Sequence, residues 1–250
     1  MSRNSRWPST AFAAATARSA ATAICLAVSV MTARAQVVSN PCRNESPTDF
    51  VATIDNQFFP LRPRTTFTYS GTVEGAPARN VTQVTTDTKI IEGVRTTVVH
   101  DVLYVNGVLA EDTFDWYAQD RAGNVCYFGE DTKEFDETGQ NVISTEGSWE
   151  AGQNGAQPGA IMLAEPQRGD SYAQEHAAGV AEDQAVVLSL KKSVKVPYGS
   201  FNNVLLTKET TPVDSSDVSY KYYAPNVGAI LDVAKKGGRE RLELVSITLK

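Results

Sequence analysis

Between residues 65 and 249 the chain consists of runs rich in Val, Thr, Tyr and Phe, broken at roughly 8- to 12-residue intervals by Gly, Asn, Asp or Pro. A period of two in β-branched and aromatic residues predicts strands joined by hairpins. The expected strands cover 65–74, 80–87, 95–105, 108–118, 125–135, 183–196, 204–211, 218–224, 229–234 and 242–249. No amphipathic helical stretch exceeds two turns. Neighbouring strands with short connections pair antiparallel, so the fold class expected is all-β: a meander curling into a barrel, a half-barrel or a sandwich.

Residues 95–135 carry the most definite register. Asn106-Gly107 lies between two β-rich runs, and both residues tolerate the positive φ of a type I′ turn. A two-residue turn sets Val105 against Val108. Counting back without a bulge sets Leu103 against Ala110, Asp101 against Asp112, Val99 against Phe114 and Thr97 against Trp116, all on one face. A turn over 120–124 with Gly123 in the left-handed region then sets Trp116 against Phe128 and Ala118 against Cys126. Phe114, Trp116 and Phe128 on that face supply the aromatic area of a core or of a ligand-binding cavity lining.

Residues 136–169 break the alternation with six glycines, Pro158 and Pro166. A stretch of this length inside a compact domain is a lid, a binding loop or disordered. Trp149, Glu150 and Met162 argue against a spacer, and Trp149 and Glu150 join the candidate ligand-binding residues. Two readings stay open: a lid over the sheet, or a Trp149 peg closing one end of it.

Residues 1–35 contain four arginines and no acid, an apolar run over 20–32, and Ala33-Arg34-Ala35 with small residues at −3 and −1. This pattern predicts a secretory signal peptide cleaved after Ala35, followed by an extended arm over 36–48 and one β domain over 49–250. The apolar run is too short to span a bilayer, and no later segment is long enough, so no transmembrane segment is expected. Cys25 lacks the context of a lipidation site. Two cysteines remain in the mature chain, Cys42 and Cys126. Export permits a disulfide between them, and the alternative is a buried thiol and a free one.

The net charge of the whole chain is −6, and the four signal-peptide arginines mask a mature value of −10. That balance excludes nucleic acid and an anionic membrane surface as main partners. Candidate chemistry is sparse. Asp101 and Asp112 placed opposite each other, with Glu130 as a third acid on that face, would share a proton, hold Ca²⁺ or supply an acid and a base. The competing reading is a bulge near 110–112 that turns one acid outward. Glu175-His176 followed by Glu182-Asp183 could hold a metal or supply a base with its orienting carboxylate, against the reading of an exposed His on a small-residue turn. His100 and His176 are the only histidines, and each is expected to be structural or solvated. The sequons at Asn44 and Asn80 are short enough to occur by chance.

The runs Asp115-Trp116-Tyr117-Ala118-Gln119-Asp120, Gly123-Asn124-Val125 and Tyr127-Phe128-Gly129-Glu130 carry a resemblance, extended by Gly147-Ser148-Trp149-Glu150-Ala151-Gly152. Val196-Pro197-Tyr198-Gly199 and Tyr222-Tyr223-Ala224-Pro225-Asn226-Val227-Gly228 extend it further, so that it covers about 59–244. The chain resembles a family of uncharacterised bacterial secreted proteins, and more weakly the periplasmic lipid and lipoprotein carriers with curved sheets around an apolar cavity. The resemblance implies export and a β architecture and assigns no catalytic residue. The leading expectation is a non-enzymatic, secreted or periplasmic β protein that binds a small-molecule or lipid ligand in its curved sheet. A carboxylate- or metal-dependent hydrolase or lyase, and an envelope protein-interaction module, are the alternatives. Ligand identity, host and oligomeric state are encoded in no pattern we find.

Overall fold

The computed structural model describes residues 39–236 and 240–250. The expected signal peptide, Cys25 and the cleavage point lie outside them. A 3₁₀ turn at Pro47–Asp49 precedes the strands β1 (Phe50–Val51), β2 (Thr65–Val73), β3 (Ala76–Ile91), β4 (Val94–Val105), β5 (Val108–Asp120) and β6 (Val125–Phe135). The Gly-rich segment supplies β7 (Val142–Ser144), β8 (Trp149–Glu150) and β9 (Gly159–Met162). The chain continues with β10 (Ser171–Ala173), β11 (Gln184–Val196), β12 (Gly199–Thr210), β13 (Val218–Ala224), β14 (Gly228–Lys236) and β15 (Glu240–Leu249).

These strands form one antiparallel sheet in the order β10-β11-β12-β13-β14-β15-β2-β3-β4-β5-β6-β7. The all-β meander is as expected. It is not closed into a barrel, because β10 and β7 stand at its two ends. Two sequential meanders, β2 to β7 and β10 to β15, meet where Leu244 pairs with Tyr69 and Ile247 with Phe67.

Tight turns set the strand ends. Asn106 and Gly107 have φ of 54° and 79°, and Val105 faces Val108. Glu74-Gly75 and Glu92-Gly93 adopt the same pair of positive φ values, so β3 reaches from one tight turn to the next and is longer than its sequence pattern suggests.

A single bulge changes the expected register. Tyr104 faces Leu109 but Leu103 faces Glu111, so Ala110 is the extra residue. Asp101 consequently faces Thr113, not Asp112, and Val99 faces Asp115, not Phe114. One inserted residue exchanges the two faces of everything beyond it. A second irregularity falls between Asp115 and Tyr117, so Glu130 opposes Asp115, and the expected pairing of Trp116 with Phe128 is not made. Ala118 does face Cys126. Gly129 sits at this irregularity with φ of 128°, where a Cβ would lie 2.2 Å from the Trp149 carbonyl oxygen.

The Gly-rich segment extends the sheet: β7, β8 and β9 all pair with β6. Trp149 is buried at 6% exposure, its ring edge-on to Tyr127 at 5.4 Å.

Candidate functional site

The concave face of the sheet encloses a cavity of about 370 Å³ whose wall is drawn from β2 to β5 and from β13 to β15, with Ile161 of β9. The loop over 56–61 covers one end. Asn56 organises that loop: its side-chain amide donates to the Gly123 and Leu163 carbonyls, and its oxygen accepts from the Phe58 and Phe59 amides. Gln119 fixes the approach, accepting from the Asp55 and Asn56 amides and donating to the Asp55 carboxylate at 2.7 Å.

The cavity is graded along the strands. Near the 56–61 loop its wall is apolar: Phe59 stands edge-on to Tyr117 at 5.4 Å and 6.4 Å from Tyr223, with Leu61 and Phe67 beside them. Further along the same strands the wall turns acidic, with Asp115 and Glu111 on β5, Asp101 on β4, Asp232 on β14 and Glu240 at the start of β15. Lys221 on β13 is the one basic residue in the lining among the described residues.

Burial decides the protonation of these acids, because taking a carboxylate out of water favours its neutral form. Desolvation, reinforced by Asp101, pushes Asp115 up to about 7, although the Tyr127 hydroxyl donates to it at 2.6 Å. Asp101 is also raised by burial, against the opposing effect of hydrogen bonds from Thr82 at 2.6 Å and from Asn80. Asn80 of the sequon is thus engaged in the cavity wall. Glu111 is raised by burial and then by Asp101. Burial and then Asp232 lift Glu240 to about 7, and burial lifts Asp232 itself to about 6. At the sheet edge Glu130 reaches about 9, through desolvation and then Asp115.

Lys221 is committed within the protein. Its Nζ lies 2.9 Å from Glu209 Oε2, and the attraction of Glu209 holds the ammonium charged. The Thr207 and Tyr223 hydroxyls donate to the other Glu209 oxygen at 2.9 and 3.2 Å. Asp232 differs. Its Oδ1 is buried, and among the described residues it has no hydrogen-bond partner.

The residues singled out from sequence are distributed over both faces. Of the acid trio, Asp101 lines the cavity and Glu130 shares the concave face with Asp115. Asp112 lies on the convex face, where its carboxylate meets His100 Nε2 at 2.8 Å and the His100 ring stacks on Phe114 at 4.3 Å. The trio therefore does not converge. Phe114, Trp116 and Phe128 also belong to the convex face, a correction that follows directly from the Ala110 bulge. Lys89 Nζ sits 3.3 Å above the Trp116 ring and 2.7 Å from Glu150 Oε2. Phe128 is covered by Phe50 of β1, edge-on at 5.5 Å. His176 is exposed. Cys42 and Cys126 form a disulfide, and the arm is further tied to the sheet by hydrogen bonds between Ser39 and the β10 backbone.

Glu111, Asp115, Lys221, Asp232 and Glu240 were not picked out from sequence. The signal for two of them is present: Glu111, Thr113, Asp115 and Tyr117 are spaced by two, so they share a face, and a bulge turns that face toward Asp101. Asp232 stands alone inside the apolar run of β14.

No protein-family model matches the chain, and no curated protein matches it. Among solved structures it is similar to one from Bacteroides fragilis described as a putative exported protein with a YmcC-like fold, at 13% identity and a TM-score of 0.43. It is also similar to one from Parabacteroides distasonis described as a putative lipoprotein, at 12% identity and a TM-score of 0.45. Each alignment covers 77% of this chain and 99% of the other. Among the described residues no helix is long and apolar enough to cross a membrane.

Proposed function

We propose that the protein is exported and holds a small molecule in the concave cavity without transforming it. The observation that carries this reading is the cavity itself, about 370 Å³ of space walled by eight strands and graded from aromatic to acidic. Export is supported by the signal-like N-terminus and by the Cys42–Cys126 disulfide. Five carboxylates in the wall disfavour the acyl chain considered from sequence, because an alkyl tail buried against them leaves their polar atoms without partners.

Native mass spectrometry of protein gently purified from its own host tests the proposal. The expected result is a bound small molecule in the wild type that is absent from a folded Ala229→Trp variant, since Ala229 lines the cavity. Wild-type protein that is empty, or a ligand retained by the filled variant, overturns it. One observation favours catalysis instead: Asp115 and Glu130 oppose each other in register with values held near 7 and 9, the separation an acid and a base require. Product formation lost in both Asp115→Asn and Glu130→Gln would decide for that reading.

A further inference from the structure

The cavity has an excess of acid that the protein does not neutralise. Asp101 is hydrogen-bonded by Thr82 and Asn80, and Asp115 by Tyr127, but none of these partners carries positive charge. Among the described residues Lys221 is the only cation in the lining, and Glu209 holds it at 2.9 Å. Asp232 has a buried, unpartnered Oδ1 in the cavity wall. A buried acceptor without a donor is costly unless a ligand supplies one.

The arrangement also limits what kind of cation fits. Among the described residues no three His, Cys, Asp or Glu side chains converge as metal ligands do. The carboxylates are spread along one end of an elongated space, and the other end offers the Phe59, Tyr117 and Tyr223 rings. Several carboxyl groups that a cation would favour in their charged forms, beside an aromatic floor, suit an amphipathic organic cation better than a point charge.

We propose that the cavity binds a small organic amine, its ammonium group received by Asp232 at the acidic end and its apolar body lying against Phe59, Tyr117 and Tyr223. This rests on the cavity being a binding site and adds the class of ligand. The ammonium group gives Asp232 Oδ1 its missing donor and offsets the surplus of carboxylate. An alcohol of the same shape does only the first, and a carboxylate does neither.

Proton release accompanies binding. Asp232 is faced by Lys221 and Tyr223 from β13, Glu209 from β12 and Glu240 from β15, with Asp217 nearby. Across the cavity it is faced by Tyr69 on β2, Asp101 on β4 and Glu111 on β5. Of the acids in this set, burial lifts Asp232 to about 6 and Glu240 to about 7, and it raises Asp101 and Glu111 as well. An arriving cation favours their charged forms.

The test uses the mature, disulfide-bonded chain and three probes with one phenyl body: 2-phenylethylamine, 2-phenylethanol and 3-phenylpropionate. Calorimetry near pH 7 in two buffers of different ionisation enthalpy reads affinity and proton release together. The expected result is one site for the amine, net proton release, at least about tenfold weaker binding of the other two probes, and a loss of about tenfold in Asp232→Asn. This variant keeps the size and shape of the side chain, and its thermal unfolding is measured beside the wild type; Ala229→Trp, which fills the cavity, should abolish binding. Equal binding of all three probes, sensitive to Ala229→Trp, overturns the amine assignment while leaving the cavity as a binding site. Amine binding untouched by either substitution, or no amine binding, also overturns the assignment, and the ligand search by native mass spectrometry then judges the broader reading separately.

Discussion

The two faces of β4, β5 and β6 are built from alternate residues of the same strands and are finished in opposite ways. On the convex face every conspicuous charge meets a partner from the chain: Lys89 with Glu150 over Trp116, His100 with Asp112 beside Phe114. Chain also covers that face, through Phe50 on Phe128 and the arm tied by Cys42–Cys126. The concave face gathers Asp101, Glu111, Asp115 and Glu130 with hydroxyls and an amide for company and no cation from these strands. A face whose charges are matched internally is completed by folding. One whose acids are raised by burial and meet no cation from these strands is the face to which our proposal assigns a ligand.

The largest effect expected from this contrast comes from unfastening the convex side. Removing the bridge in a Cys42→Ser, Cys126→Ser double variant frees a loop spanning 84 residues, and the chain-entropy model gives a loss of about 4 to 5 kcal/mol, measurable by denaturant unfolding. Amine binding per folded molecule should survive. If it disappears while the protein stays folded, the two faces are not independent.

The next effect is the pH dependence of the concave face. Asp115, Glu130, Asp232 and Glu240 titrate above the ordinary carboxylate range in the folded chain, so between about pH 4 and 9 the native state keeps protons that the unfolded state has released. Stability therefore falls as pH rises through that window, and thermal unfolding should occur at a higher temperature at about pH 5 than at about pH 9. Asp115→Asn keeps an oxygen for the Tyr127 hydroxyl and removes one of these groups, so its profile should be flatter between about pH 4 and 7. A variant as steep as the wild type would show that Asp115 does not contribute. The smallest effect belongs to the convex surface: Lys89→Met removes a half-exposed ion pair and a cation–π contact, at about 1 kcal/mol or less, with the pH profile unchanged.

Much of the fold was legible. The Asn106-Gly107 turn, the pairing of Ala118 with Cys126 and the β13 boundaries are all local signals, written in φ preferences and in runs of β-branched and aromatic residues. The site was harder to read because both faces of β5 bury large side chains. With Phe114 and Trp116 on one side and Asp115 and Tyr117 on the other, alternation shows two faces without saying which is inward. The Ala110 bulge makes that choice, and its only trace is the unbroken apolar run Val108-Leu109-Ala110, where alternation lapses. Asp232, Glu240 and Lys221 were out of reach for another reason. They meet Asp101 and Glu111 only through the pairing of the last strand with β2, which no local pattern announces.

That pairing also orders events in time. The two meanders can each assemble from neighbouring hairpins, but the seam between them joins Leu249 to Thr65 and waits for β15. Until β15 arrives, β2 and β14 are both bare edges and the cavity has only half its wall. A joint between strands so far apart in sequence closes late, after each meander has paired within itself, so the cavity is completed as one of the last steps of folding.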